Sequence, residues 1–118
     1  MEAPAQPQAG EEEDVRRCDA ALVTAFGVLG KRWNGMILAV IGQRSLGFAE
    51  LRRGIGAISD SMLSERLGDL TALGLVARDV DPGPPVAVTY RLTPAGCSVI
   101  PVLDQLGDWA RDHLDVQH

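Results

Sequence analysis

Long apolar runs and cysteines are both scarce in this chain of 118 residues. The longest unbroken apolar run, residues 36–41, is far shorter than the ~20 residues that a membrane-spanning helix needs. The sequence begins with acidic residues instead of a basic segment and an apolar core, so we expect no signal peptide. The two cysteines, Cys18 and Cys97, are too few and too far apart for a disulfide framework. We therefore expect a cytoplasmic protein with reduced thiols and no membrane partner.

Residue sets that carry catalysis or metal binding are also missing. His113 and His118 have no cysteine or carboxylate partner at the spacing of metal ligands. The glycines of residues 54–56 are not followed by the further glycine or lysine of a nucleotide-binding motif. No nucleophile stands with a base. We predict that the protein is not an enzyme and that it has no metal and no cofactor.

The net charge of −5 is unevenly distributed along the chain. Residues 1–14 contain five acids and no base, residues 15–91 contain ten bases and seven acids, and residues 92–118 contain four acids and one base. The middle of the chain is therefore mildly basic, and the overall charge does not exclude a nucleic-acid partner. Residues 1–14 are rich in proline, glutamine and acid, which predicts a disordered acidic tail. The remainder, residues 15–116, has the length of one domain.

Apolar residues at helical spacing predict three helices between residues 19 and 55. Gly30 and Gly42 mark the ends of the first two. The third helix is short, with one apolar face and an opposite face that carries Arg52 and Arg53. Its polar face is therefore available to a partner.

A fourth helix is predicted to begin after Ser59, whose hydroxyl can cap the first turn. Leucines at positions 63, 67 and 70 form its buried stripe, and Gly74 ends it. The opposite face carries Ser61, Ser64, Glu65 and Gly68.

The hydrophobic period then changes to two, which predicts strands over residues 76–80 and 86–92. Residues 81–85, which contain three prolines, form the tip of this hairpin. Thr93 and Pro94 predict the start of a last helix that ends near His113, and Pro101 should kink or restart it. The apolar stripe of this helix is long enough to predict a homodimer interface.

A short helix, a glycine-containing turn, a capped helix and a β-hairpin, in this order, are typical of a winged helix-turn-helix. In that fold the polar face of the capped helix enters the DNA major groove. The hairpin reaches the neighbouring backbone or minor groove. We therefore expect an α+β fold, mainly helical, that binds double-stranded DNA.

Several motifs follow one another at matching spacing: Gly30-Lys-Arg-Trp33, Phe48-Ala-Glu-Leu-Arg-Arg53, Met62-Leu-Ser-Glu-Arg-Leu67 and Val88-Thr-Tyr-Arg-Leu-Thr93. With Cys18 before them, this ordered set resembles the HxlR-type winged-helix transcriptional regulators, which are relatives of MarR-like repressors. The resemblance implies a homodimer that binds an inverted-repeat operator, with extra N- and C-terminal helices for dimerisation. The implied dimer contacts are Leu22, Phe26, Ile100, Leu103, Leu106, Trp109 and Ala110.

The candidate DNA-contacting residues are Arg52, Arg53, Ser59, Ser61, Ser64, Glu65, Arg66, Pro84 and Arg91. For the first two arginines we favour phosphate contact over pairing with nearby carboxylates. Glu65 can accept from cytosine N4 or repel phosphate.

Three further arginines leave two alternatives open. Arg66 can pair with Asp69 or Asp79 as readily as it can touch DNA. Arg78 and Arg91 can pair across the hairpin or reach DNA from its strands. The chain departs from the family at Gly68, where a basic or long polar residue is usual, which removes one phosphate contact.

Cys18 follows Arg16 and Arg17 at a helix start, where cations stabilise a thiolate, although the acids of residues 11–14 and Asp19 oppose this. The family resemblance implies a sensor of oxidants or electrophiles, and a small buried structural residue is the alternative. Cys97 is predicted to be a packing residue.

Two functions are consistent with these observations. One is a sequence-specific DNA-binding transcriptional regulator that responds to redox, an electrophile or a small-molecule ligand. The alternative is a winged-helix module that binds a protein instead of DNA, which the acidic charge balance and Gly68 leave open.

Overall fold

The computed structural model describes residue 17 and residues 19–117. Its elements, in chain order, are α1 (Ala20–Leu29), α2 (Asn34–Ile41), α3 (Phe48–Ile55), α4 (Asp60–Ala72), β1 (Val76–Asp81), β2 (Ala87–Leu92), α5 (Pro94–Cys97) and α6 (Ile100–His113). This is the predicted α+β winged helix-turn-helix, mainly helical with one two-stranded antiparallel sheet. The last predicted helix is divided into α5 and α6. Pro101 lies in the first turn of α6, which agrees with the prediction that this proline restarts the helix.

The hydrophobic core lies where α2, α3, α4 and β1 meet. The predicted leucine stripe of α4 is buried together with Leu51 of α3 and Ile37 and Leu38 of α2. Each fully buried side chain of this size stabilises the fold by about 1.5–3 kcal/mol. The stripe therefore fixes which face of α4 remains outside.

Side-chain hydroxyls begin two of the helices, as predicted. The Oγ of Ser59 accepts a hydrogen bond from the Met62 amide at 3.1 Å, and the Oγ1 of Thr93 accepts from the Gly96 amide at 3.1 Å. Gly74 follows α4 with a φ of +79°, the left-handed conformation that glycine adopts at low cost. Local signals therefore set both ends of α4.

The hairpin pairs β1 with β2 in a register that places Val76 opposite Leu92 and Arg78 opposite Tyr90. Leu46, in the loop before α3, adds a one-residue bridge, since its amide and carbonyl exchange hydrogen bonds with Tyr90 at 3.0 and 2.8 Å. This bridge, which the sequence analysis did not predict, ties the base of the hairpin to α3.

The short helix α5 packs tightly against the turn after α4. A Cβ at the buried Gly96 would lie 2.1 Å from the carbonyl oxygen of Leu75, so only glycine fits. Cys97 is exposed, and the prediction that it is a packing residue is therefore wrong. Gly96 makes the close approach to the Leu75 carbonyl oxygen, whereas Cys97, the next residue of α5, is exposed to solvent.

Helix α1 has no buried residue and extends from the core. It is held at its end by the buried Asn34, whose Nδ2 donates to the carbonyl oxygen of Val28 at 2.8 Å. Several large apolar side chains, among them Phe26 of α1 and Leu106 of α6, are more than half exposed. None of the helices in the described part of the chain has the length and apolar character needed to cross a membrane.

Candidate nucleic-acid interface

The exposed face of α4 carries the polar residues that the sequence analysis assigned to it. Ser61, Ser64, Glu65 and Gly68 are all exposed, because the leucines on the other side of the helix are buried. Ser59 is exposed too, but its hydroxyl accepts the capping hydrogen bond and lies 3.5 Å from the Oγ of Ser61. The face is therefore open to a partner along its length.

The two arginines of α3 differ in their surroundings. The Nε of Arg52 lies 3.2 Å from the Oδ1 of Asp60 in the first turn of α4, which is one of the alternatives considered for it. Arg53 is exposed and forms no ion pair with any residue in the described ranges. Its guanidinium is therefore the freer of the two for phosphate.

Arg66 is engaged within α4. Its side chain is only 12% exposed, and its Nη2 lies 2.7 Å from a carboxylate oxygen of Glu65 and 2.9 Å from one of Asp69. The Nζ of Lys31, in the turn after α1, lies 3.7 Å from the same oxygen of Asp69. Of the two alternatives for Arg66, the structure contains the pairing with Asp69. The same guanidinium also partly neutralises the charge of Glu65.

The hairpin presents its two arginines on opposite faces. The Nε of Arg91 donates to the Oδ2 of Asp79 at 2.8 Å across the strands. Arg78 lies on the other face, opposite Tyr90, because side chains alternate along a strand. Pro84 is exposed at the tip. Pairing across the hairpin is thus found for Arg91, and within the described residues it is not found for Arg78.

A groove lies between α4 and the hairpin. It has a volume of about 430 Å³ and is lined by Ser64, Leu67, Gly68, Thr71 and Ala72 of α4 and by Arg78 and Tyr90 of the hairpin. We call it the α4–hairpin groove. Local sequence patterns do not predict this groove, because it depends on the register of the hairpin against α4.

The start of α3 is fixed by an ionised carboxylate. The amide of Gly47 and the guanidinium of Arg44 donate to Glu50 at 3.0 and 2.9 Å. These hydrogen bonds hold the pKa of Glu50 below its usual range.

The residues assigned to a dimer interface occupy α1 and α6. Leu22, Phe26, Leu106 and Trp109 are exposed, whereas Ile100, Leu103 and Ala110 are half-buried. Leu103 also packs against the core. The redox candidate Cys18 and the acidic tail lie outside the described residues.

The chain matches the family model described as HxlR-like helix-turn-helix over residues 28–118. It is 41% identical over 87 residues to the HTH-type transcriptional regulator YodB of Bacillus subtilis, covering 74% of this chain and 78% of that protein. The reduced form of YodB superposes with a TM-score of 0.75 at 35% identity, over 86% of this chain and 100% of YodB. YodB has also been solved after diamide treatment and with bound quinone.

Other solved structures are also similar, among them the following two. The redox regulator HypR in its oxidised form gives a TM-score of 0.76 at 30% identity, over 82% of this chain and 100% of HypR. A MarR-family transcriptional regulator from Porphyromonas gingivalis W83 gives 0.77 at 28% identity, over 85% and 98% of the two chains.

Proposed function

Because the chain belongs to the HxlR-like helix-turn-helix family of transcriptional regulators, we propose that it binds a specific double-stranded DNA operator as a homodimer. The observation that carries this proposal is the exposed polar face of α4, supported from behind by its buried leucines. Such a helix can enter a major groove without losing core contacts.

Sequence preference is assigned to Ser61, Ser64 and Glu65, since hydroxyl and carboxylate groups on this face can reach base edges. Arg53 adds charge for phosphate, which strengthens binding to any sequence. Because Arg52 and Arg66 already have carboxylate partners, their share of the binding is smaller.

The dimer forms through α1 and α6. Exposed apolar faces of this kind are typical of interfaces between subunits. A two-fold axis between the protomers would present two α4 helices to an inverted repeat, with half-sites about one helical turn or more apart.

Cys18 is proposed as a switch for this binding. In the sequence it lies between Arg17 and Asp19, the residue that caps α1, and similar proteins have been solved in reduced, oxidised, diamide-treated and quinone-bound forms. The thiolate of Cys18 reacts with an oxidant or an electrophile. The modified side chain shifts α1 in the dimer interface, and this shift alters the spacing of the two α4 helices.

The DNA assignment is tested by selecting binding sites from random duplexes with the full chain. We expect an inverted repeat for the wild type and a different preferred sequence for Glu65→Gln or Ser61→Ala. Arg53→Ala should keep the wild-type sequence and bind it more weakly. Failure to retain any duplex at low salt would instead favour a module that binds protein.

The switch is tested on the selected duplex with and without a quinone or diamide. We expect the reagent to change the affinity of the wild type and to leave that of Cys18→Ser unchanged. A response that survives in Cys18→Ser would move the role to the exposed Cys97.

A further inference from the structure

The α4–hairpin groove is open because one position of α4 has no side chain. Apart from its chain neighbours and the backbone of α4 itself, no heavy atom lies within 4 Å of the point that a Cβ of Gly68 would occupy. The neighbouring groove positions on α4, Thr71 and Ala72, are also small. An extended polymer can therefore approach the α4 backbone closely along this groove.

The positive charge of the groove comes from Arg78. Alternation along β1 puts this side chain on the same face as Val76 and opposite Tyr90, so it points to the α4 side of the hairpin. Asp79 lies on the opposite face, where it holds Arg91. Within the described part of the chain, no carboxylate pairs with Arg78, unlike Arg52, Arg66 and Arg91.

We propose that the α4–hairpin groove binds the sugar–phosphate backbone of one DNA strand and that Arg78 is its phosphate-binding residue. This deepens the proposed function and rests on it. When α4 lies in the major groove and the hairpin reaches the adjacent minor groove, the strand that separates the two grooves passes between these elements. An unpaired guanidinium can then bind a phosphate with two parallel hydrogen bonds.

In this arrangement the absence of a side chain at Gly68 favours DNA binding. At the level of sequence it removes a phosphate contact from α4. In the structure its missing side chain creates the space in which the strand lies, and the cation is supplied from the hairpin. The Thr71 hydroxyl of the groove already donates to the Leu67 carbonyl oxygen at 2.7 Å, so it has no free hydrogen for a phosphate.

The first test compares Arg78→Gln with Arg111→Gln, which removes the same charge from an ion pair on α6. Binding of the operator and of a scrambled duplex is measured by fluorescence anisotropy over a range of salt concentrations. Arg78→Gln should weaken both duplexes by about tenfold at low salt and reduce the salt slope by about 1, because one phosphate contact is lost. Arg78→Lys should recover the salt slope and only part of the affinity, because lysine lacks the two-pronged geometry. Arg91→Gln, on the outer face of the hairpin, should lose less than Arg78→Gln.

The second test fills the groove with Gly68→Leu. Leucine favours a helix more than glycine does, so the thermal midpoint should not fall. DNA affinity should nevertheless drop by about tenfold or more, because the strand is excluded from the groove; the approximate size follows from the loss of at least one phosphate contact. Wild-type affinity in Gly68→Leu, or equal losses in Arg78→Gln and Arg111→Gln, would overturn the proposal while leaving operator binding intact. Absence of any DNA binding by the wild type would overturn both.

Discussion

Whether an arginine of this interface can bind phosphate depends on the carboxylates beside it. Arg52, Arg66 and Arg91 each lie within 3.2 Å of an aspartate oxygen, so a DNA phosphate would have to compete with that partner. Arg53 and Arg78 have no such partner among the residues described. The motifs predict that arginines surround α4, but the pairing depends on rotamers and strand register.

Asp60 holds Arg52 in an ion pair, so in the proposed complex it would compete with a DNA phosphate for this guanidinium. Asp60→Asn should free the guanidinium, remove one negative charge and strengthen binding to all duplexes by several fold at low salt, with little effect at high salt. The same change should cost about 0.3–1 kcal/mol in the free energy of unfolding, since an acid in the first turn of a helix is stabilising. Asp108→Asn on α6 is the control, and equal gains in the two variants would contradict the assignment of Asp60.

Glu50 makes the stability of the fold depend on pH. Its pKa is lowered in the folded state, chiefly by the Gly47 amide and then by Arg44. The ionised carboxylate therefore contributes its full stability above the unfolded pKa of about 4.3, and this is lost as pH falls through the lower folded value. Urea unfolding should show the wild type more stable than Glu50→Gln at pH 7, with a difference that shrinks below about pH 4. A difference independent of pH would show that ionisation is not the cause.

At the scale of elements, helix starts, helix ends and the buried stripe of α4 are predictable because their causes lie within a few residues of each other. The Ser59 cap, the Gly74 turn and the break before Pro101 are all of this kind. Two features join segments that are far apart in sequence: the bridge from Leu46 to Tyr90 and the α4–hairpin groove. Because the bridge pairs a single residue, it leaves no alternating hydrophobic pattern in the sequence from which it could be predicted. The exposure of Cys97 is likewise set by the packing of α5.

Two helical glycines should respond in opposite ways to alanine. At Gly96 the new Cβ would collide with the Leu75 carbonyl oxygen, so the backbone must move. Gly96→Ala should lower the free energy of unfolding by about 1–3 kcal/mol. At Gly68 the space is open, and Gly68→Ala should raise it by up to about 1 kcal/mol. Chemical denaturation of both variants measures this contrast, which a similar loss in the two would contradict.

For the whole molecule, the decisive feature is the amount of apolar surface on α1 and α6. Phe26 is 64% exposed and Leu106 is 55% exposed, and no residue of α1 is fully buried in the described chain. A second copy of the chain would cover both helices. The apolar stripe of the last helix is predictable from the sequence because its residues recur at helical spacing. The relative position of two protomers has no such local pattern.

A charge in this surface should separate the protomers. Phe26→Glu is expected to give a monomer by light scattering at micromolar concentration, because a carboxylate would be buried in the interface without a partner. The affinity of Phe26→Glu for the operator should fall far more than its affinity for a scrambled duplex, because a monomer can contact only one half-site. Val86→Glu, at an apolar side chain of the hairpin that is also exposed, is the control and should remain a dimer. A dimer in both variants would place the interface elsewhere.

Operator binding by a dimer is tested most directly by titrating the wild-type chain against the selected inverted repeat, against one isolated half-site and against a scrambled duplex. The stoichiometry and affinity are measured at physiological salt. We predict two protomers per inverted repeat and an affinity at least ~10³-fold higher than for the scrambled duplex. Equal affinity for all three duplexes, or one protomer per inverted repeat, would contradict the proposal.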